Sequence, residues 1–552
     1  MSNRETVTDT SQFGTVMSVL TAKDVGMSLD SNEKYIVLIS EGEKGKTAHA
    51  LVNNELKNSN GTPIDLFLTA TRNTLNRQPE LASLCNTLRP HYVSKDIIKN
   101  MKKLSVNSEN SKTDNSREKE VETMLLDAEH MGASDIHVTC DRSESKIKFR
   151  INGELEVYGG DRNQEELHSM VSVLYSSMAA KDGAIKSEEF KDYEQADAVM
   201  YRNLENKRLG VRITTHPTIN VEKCYHMVMR VLGDQNEHAK RIPFEELGFM
   251  FDQPSRIKAA LRGKGMVLTI GETNSGKSVS QQNYLMLINE ETNDTESIYS
   301  MENPIERQLK GVTQFNINQD DNGKSLADDL ISYFMRADPN TLALAEIRDR
   351  MSAESAQTLS QTGHKVFGTL HCESPFDVFE RLVGLGCNHN TLSSGEVLGS
   401  VISQKLLKKI CPDCSTDIYS EPSINEKQML AIEQLCQMGM GHRVSELRFR
   451  NTSNSNTCTN PKCRHGLIGR QLIAEVVNVS PQILEPLSKG LKFESKRVWL
   501  SDNNFTKIDC ALTAIFNGYV DCADVLNEIG DLYDTYYLRQ EMNIPHPKVI
   551  YA

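Results

Sequence analysis

The stretch Gly271-Glu272-Thr273-Asn274-Ser275-Gly276-Lys277-Ser278 constrains this chain more than any other segment of its length. It follows the apolar run Met266–Ile270 and precedes the helix-forming run Ser280–Glu290. The pattern is G-x-x-x-x-G-K-[ST], placed as it must be, between a buried strand and a helix. Glycines let the backbone curl until successive N–H groups point at anionic oxygens, and the next helix adds its positive end. Residues Gly271 to Val279 are therefore expected to cradle a nucleotide's phosphates. Lys277 is expected to reach the β- and γ-phosphates, and the Ser278 hydroxyl to ligand Mg²⁺.

A phosphate loop alone does not imply hydrolysis, which also needs a carboxylate beside the cation and a group that orients water. Thr341–Ala345 (TLALA) reads as a buried strand ending in Glu346, followed by Ile347-Arg348-Asp349. An acid at the carboxyl end of a central strand faces the crevice where such sheets bind ligands; a solvated acid opening a helix has the same appearance. A second acidic run, Glu302-Asn303-Pro304-Ile305-Glu306, follows the strand-like Ser297–Ser300. A third block, Thr362–His371, is a Gly-led strand with His364 at one end and His371 at the other. Strands and helices alternate from about Pro243 onward, the mark of an α/β domain with a mainly parallel sheet.

A chain of 552 residues exceeds one hydrophobic core, and three or four domains are expected. Tyr35–Ser40 reads as a strand in an N-terminal unit. The stretch 104–120, rich in Ser, Asn and charge, reads as a flexible linker, because it buries too little surface to offset its chain entropy. A compact α+β pattern follows: a helix at Val121–His130, then strands at Asp135–Thr139, Lys146–Ile151, Glu154–Val157, Arg208–Thr214 and Tyr225–Leu232. Asn152-Gly153 is the hairpin signal between two of them.

The net charge of −13 argues against binding nucleic acid directly, which needs clustered cations. No run approaches the roughly 18–20 apolar residues of a membrane span. The first residues lack the apolar core of a secretory signal, so a cytoplasmic location is expected. A reducing compartment makes a disulfide framework from the twelve cysteines unexpected. Four of them, Cys411-x-x-Cys414 and Cys458-x-x-x-x-Cys463, have the spacing of a closed, structural Zn²⁺ site. The wider second pair leaves free thiols, or His465 in place of one cysteine, as alternatives.

Taken in order, these blocks resemble the secretion ATPases that drive type II secretion and type IV pilus assembly (GspE/PilB-like, of the pilus-extension type). Gly271–Ser278 matches that family's Walker A loop, Glu302–Glu306 its acidic box, the strand to Glu346 its Walker B segment, and Thr362–His371 its histidine box. Gly132–His137 and Lys148–Gly153 resemble the signatures of a PAS-like domain ahead of the motor. Gly399–Cys411 resembles the family's helix into its metal module, and Asp509–Leu526 its closing helices; the likeness spans about residues 120 to 530.

The resemblance implies a P-loop (RecA-like) α/β motor domain over 236–552, with a zinc module at 405–475 and C-terminal helices at 476–552. It implies a PAS-like α+β domain at 121–235, after the 104–120 linker. Residues 1–103 lie outside the likeness; a small α/β domain that docks a membrane-associated partner is expected there by analogy alone. It also implies that Arg212 and Arg230 reach the nucleotide's phosphates, and that His364 and His371 sense the γ-phosphate. Glu302 is favoured as general base and Glu346 as the Mg²⁺ holder through water; the reverse assignment stays open.

Three positions depart from the family's pattern: Asn274, Ser278, and Asn303 where an Asp is usual. Serine keeps the hydroxyl, and asparagine tolerates left-handed backbone. The implied protein is a homohexameric ATPase, recruited to the cytoplasmic face of the inner membrane, that works through a membrane platform protein. A nucleic-acid translocase and a nucleotide-binding scaffold without turnover are the alternatives.

Overall fold

In the computed structural model, the described residues are all but 1–5, 8–14, 22–24, 26, 28–33, 43–44, 57–61, 78–80, 87, 180–189, 219–220, 318–326, 345, 421–423, 453–457 and 552. Two compact units emerge: residues 1–124 with 168–181, and residues 125–167 with 182–552.

The first unit holds a five-stranded sheet of β1 (Thr6–Val7), β2 (Thr15–Thr21), β3 (Tyr35–Gly42), β4 (Gly45–Asn53) and β5 (Arg89–Val93), in the order β1-β5-β4-β3-β2. The run YIVLIS has no polar alternation because both of its faces are covered. Tyr35, Val37 and Ile39 pack in one core with Phe67 of the helix Thr62–Asn76, while Ile36 and Leu38 pack in another with Val93 and Ile98. The helix Lys95–His130 runs through 104–120, so the segment expected to be a flexible linker is helical. That stretch contains neither proline nor glycine, so its polar composition holds nothing that breaks a helix.

The second unit contains two large sheets. The first is antiparallel throughout, built from β6 (Ala133–Cys140), β7 (Ser145–Ile151), β8 (Glu154–Arg162), β9 (Ala196–Leu204), β10 (Lys207–Pro217) and β11 (Tyr225–Asp234) in the order β8-β7-β6-β11-β10-β9. The β7–β8 turn has Asn152 at φ 51° and Gly153 at φ 90°, the two left-handed residues that an Asn-Gly hairpin turn requires.

The second sheet comprises β12 (Met266–Ile270), β13 (Ile298–Glu302), β14 (Thr313–Asn316), β15 (Thr341–Leu344), β16 (Lys365–Leu370), β17 (Leu398–Ile410) and β20 (Leu467–Asn478). Its order is β14-β13-β15-β16-β12-β17-β20, parallel except for the β17–β20 pair. This is the parallel-rich α/β sheet expected from the sequence. β12 is buried at every position because separate cores cover its two faces. A two-stranded ribbon, β18 (Thr416–Asp417) with β19 (Arg448–Phe449), follows the first cysteine pair.

One expectation fails here. Gly399–Cys411, expected to be a helix by resemblance, is strand from Leu398 to Ile410. Its β-branched Val401 and Ile402 are buried, and the strand hydrogen-bonds to β12 on one side and β20 on the other. Sheet pairing and burial prevail over the helix-like Lys-Leu-Leu-Lys-Lys pattern at its end. The closing helices appear as Lys507–Phe516 and Cys522–Ile529. Among the described residues, no helix is long and apolar enough to cross a membrane.

Candidate nucleotide site

The glycine-rich loop leaves the carboxyl end of β12 and enters the helix Lys277–Glu291. Gly271 (φ 146°) and Gly276 (φ 85°) occupy backbone regions that favour glycine. A Cβ on Gly271 would stand 2.4 Å from the Gln404 carbonyl oxygen, so no larger residue fits. Asn274 holds φ 63°, the left-handed conformation its side chain tolerates. Lys277 Nζ donates to the carbonyls of Gly271 (2.8 Å) and Glu272 (2.6 Å), which keeps the ammonium over the loop. Burial pushes that ammonium below its usual range, and Glu346 and Glu272 pull it back up.

The acids sort themselves by partner. β15 and β16 are parallel neighbours, so Glu346, just beyond β15, and His371, just beyond β16, emerge on one edge; their Oε1 and Nε2 atoms are 3.1 Å apart. Ala345 lies outside the described residues. Asp349, by contrast, caps the helix Arg350–Gln361, accepting from the Ser352 N–H at 2.9 Å. That bond depresses its carboxyl and commits it to structure. Glu302, ending β13, accepts from Ser300 Oγ (2.7 Å) and Gln314 Nε2 (2.9 Å). Glu306 lines the same cleft, and burial raises its carboxyl above the usual range, with Arg230 opposing.

Arg212 and Arg230 are direct cross-strand partners on β10 and β11. Arg230 donates to Asp135 Oδ1 (3.0 Å) and to Asn274 Oδ1 in the loop (3.2 Å). Arg212 is exposed and donates to the Asn303 carbonyl at 3.5 Å. The cleft between the antiparallel sheet and the loop has a volume of about 750 Å³ and is lined by the loop from Thr273 to Val279 with Arg230, Glu302, Glu346 and His371. That volume falls within the range of ordinary ligand sites.

His364 is not part of this grouping. It sits at the amino end of β16, where Nδ1 meets Thr362 Oγ1 at 2.8 Å and the Leu359 carbonyl at 3.1 Å. The six residues of β16 separate it from His371, seven steps of extended strand or roughly 23 Å. Within this chain it closes the end of a helix rather than facing the cleft.

The four cysteine sulfurs lie within 4.8 Å of one another. Cys411 Sγ is 3.7 Å from Cys458 Sγ, and Cys414 Sγ is 3.7 Å from Cys463 Sγ. A disulfide requires about 2.05 Å. A tetrahedral ion with metal–sulfur bonds of about 2.3 Å sets sulfurs about 3.8 Å apart. The cluster fits a metal ion, and His465 is not part of it.

Residues 110–526 match the family described as Type II/IV secretion system protein. The chain belongs to that family. The "Type IV pilus assembly ATPase PilB" of Pseudomonas aeruginosa is 33% identical to it over 298 residues, which cover 54% of this chain and 49% of that protein. The "Type II secretion system ATPase E" of Vibrio cholerae serotype O1 is 30% identical over 368 residues, 66% of each chain. The matches thus span about half to two-thirds of these relatives' own length. The X-ray structure of the Legionella pneumophila ATPase DotB shares the fold, with a TM-score of 0.50 at 16% identity, covering 72% of this chain and 92% of that one.

The chain also holds cleft residues that sequence reading missed. Arg150, Arg307 and Arg470 line the cleft with Arg230. A Cβ on Gly153 would stand 2.5 Å from an Arg470 guanidinium nitrogen, so the hairpin glycine leaves room for that arginine. The only signal was Arg470's place after the turn that follows the cysteines. Across the same region, Glu154 of β8 makes a two-pronged pair with Arg450 (2.7 Å and 2.7 Å) and accepts from Lys408 at 2.8 Å.

Proposed function

We propose that this chain is an ATP hydrolase that powers assembly of a type IV pilus or of a type II secretion pseudopilus. One observation carries the reading: the loop Gly271–Ser278, the Glu346–His371 pair and Glu302 converge on one cleft at the carboxyl edge of a parallel sheet. Such an edge is where α/β sheets bind ligands. The names of the relatives, a pilus assembly ATPase and a secretion system ATPase, support the same activity.

In this mechanism the loop N–H groups and Lys277 grip the β- and γ-phosphates. Ser278 Oγ and Glu346 would hold Mg²⁺, which would supply charge neutralisation on the phosphates. Glu302 takes the proton of the attacking water, and its bonds from Ser300 and Gln314 fix the carboxylate for that task. His371 orients Glu346 and senses the γ-phosphate. Arg230, already tethered to the loop through Asn274, and Arg212 beside it supply guanidinium charge to the transition state with little reorganisation.

The chain works as a homohexamer on the cytoplasmic side of the inner membrane, against a platform protein, with its N-terminal unit docking a membrane-associated partner. The antiparallel sheet serves as the PAS-like domain. The four thiolates would hold a structural Zn²⁺, since a closed Cys₄ set leaves no open position for catalysis.

The test is phosphate release by the purified wild-type chain and by Lys277→Ala. Turnover in the first and none in the second supports the reading. Wild-type rates in Lys277→Ala would overturn it, and turnover stimulated by DNA in a salt-dependent way would favour a nucleic-acid translocase.

A further inference from the structure

The phosphate loop is held from behind by one strand. Gln404 of β17 is 1% exposed, a position where an uncharged amide is costly unless it is bonded. Its Nε2 donates to the Ser275 carbonyl, in the middle of the loop, at 2.8 Å. Among the described residues its Oε1 has no partner, and the amide's one bond goes to the loop.

The same residue abuts both glycines of the motif. The Gln404 carbonyl oxygen lies 2.4 Å from where a Cβ on Gly271 would stand, and Gln404 Nε2 lies 3.2 Å from the equivalent point on Gly276. The next residue continues the contact: Lys405 Nζ is 3.3 Å from Glu272 Oε1. Leu406 follows, 3.4 Å from the Cβ point of Gly276. Three consecutive strand residues thus back the loop's first, middle and last turns.

We propose that Gln404 is a positioning residue for nucleotide binding: its amide fixes the Ser275 carbonyl so that the loop N–H groups stay turned toward the phosphates. The proposal rests on the nucleotide reading above. A peptide unit has its N–H and C=O on opposite sides, so pinning the Ser275 carbonyl against β17 directs the Gly276 N–H the other way, into the cleft. Without that bond the peptide turns freely, and the loop must be ordered again each time an anion arrives.

The test measures Mg·ADP affinity, kcat and KM on the full chain for wild type, Lys277→Ala, Gln404→Met and Gln404→His. Gln404→Met keeps length and bulk but cannot donate. It is expected to weaken Mg·ADP binding and raise KM about tenfold, the scale of one hydrogen bond, with kcat within about twofold. Gln404→His, which restores an N–H at similar reach, is expected to recover part of that loss; a merely space-filling role predicts no recovery.

Wild-type affinity in Gln404→Met overturns the proposal, as does a histidine variant no better than the methionine one. A wild type that does not bind Mg·ADP would instead overturn the nucleotide reading itself. If Gln404→Met melts early, hydrogen exchange on the wild type decides. Residues 271–279 and 402–406 must gain protection together on adding Mg·ADP, and protection confined to 271–279 overturns the proposal.

Discussion

His371 Nε2 stands 3.1 Å from Glu346 Oε1, joining the ends of two parallel neighbouring strands at the mouth of the cleft. Among the described residues neither hydrogen-bonds Lys277, whose ammonium donates to the Gly271 and Glu272 carbonyls and feels Glu346 only through its charge. If the proposed roles hold, grip on the phosphates and orientation at the cation should be separable. Glu346→Gln is expected to keep Mg·ADP binding within a few-fold while cutting turnover by about 10²-fold or more. His371→Ala, removing the imidazole 3.1 Å from Glu346, is expected to cut turnover about 10- to 100-fold. Single-turnover kinetics beside equilibrium binding check both; parallel losses of binding and turnover would refute the separation.

Asn274 occupies left-handed backbone at φ 63° while its side chain accepts from Arg230. Asn274→Val places a β-branched residue where it costs roughly 1–2 kcal/mol, and nucleotide affinity should fall accordingly. Asn274→Gly frees the backbone but cuts the tie to Arg230. Its expected signature is near-normal binding with slower turnover, read by the same kinetics.

Glu154 is held by Arg450 and Lys408 at a carboxyl value of about 2, below the ordinary 4.5. A depressed carboxyl contributes stability that is present above pH 4.5 and lost as pH falls toward 2. Glu154→Gln should lower stability by about 1.5–3 kcal/mol at pH 7. Thermal melts should show the gap between variant and wild type shrinking between pH 4.5 and 2. A gap that persists unchanged at the acid end would place the effect in packing rather than charge.

The cysteine cluster predicts one zinc per chain by elemental analysis of the purified protein. Cys414→Ser should lower that stoichiometry and melt the module first, because a structural Zn²⁺ site contributes directly to folding. A metal-free wild type with an unchanged melting curve would return these residues to free thiols.

Arg539 and Asp509 form an ion pair at 2.8 Å with side chains 1% and 0% exposed. Arg539→Ala leaves a buried carboxylate without its cation and should cost about 3–5 kcal/mol. Replacing both with apolar residues of similar size should recover much of that loss, as judged by chemical denaturation of the single and double variants.

What the sequence determined by itself was local stereochemistry. Two glycines with Lys277 and Ser278 between an apolar strand and a helix specify a phosphate loop wherever they fold. Asn152-Gly153 specifies its hairpin, and YIVLIS a strand covered on both faces. The cysteine spacing anticipated four sulfurs that meet in space. Tertiary structure alone decided the rest. β17 is a strand because β12 and β20 flank it, which no window of its own residues records. His364 and His371 look alike in sequence, yet the length of one strand sends only the second to the cleft. Asp349 and Glu346 are both acids after β15, and only the helix that Asp349 caps tells them apart. Arg470, Gln404 and the Glu154–Arg450 pair depend on contacts between residues far apart in the chain. Backbone preferences act over a few residues and can be read in order, whereas charge pairing and burial act over a few ångströms and exist only once the chain has brought distant segments together.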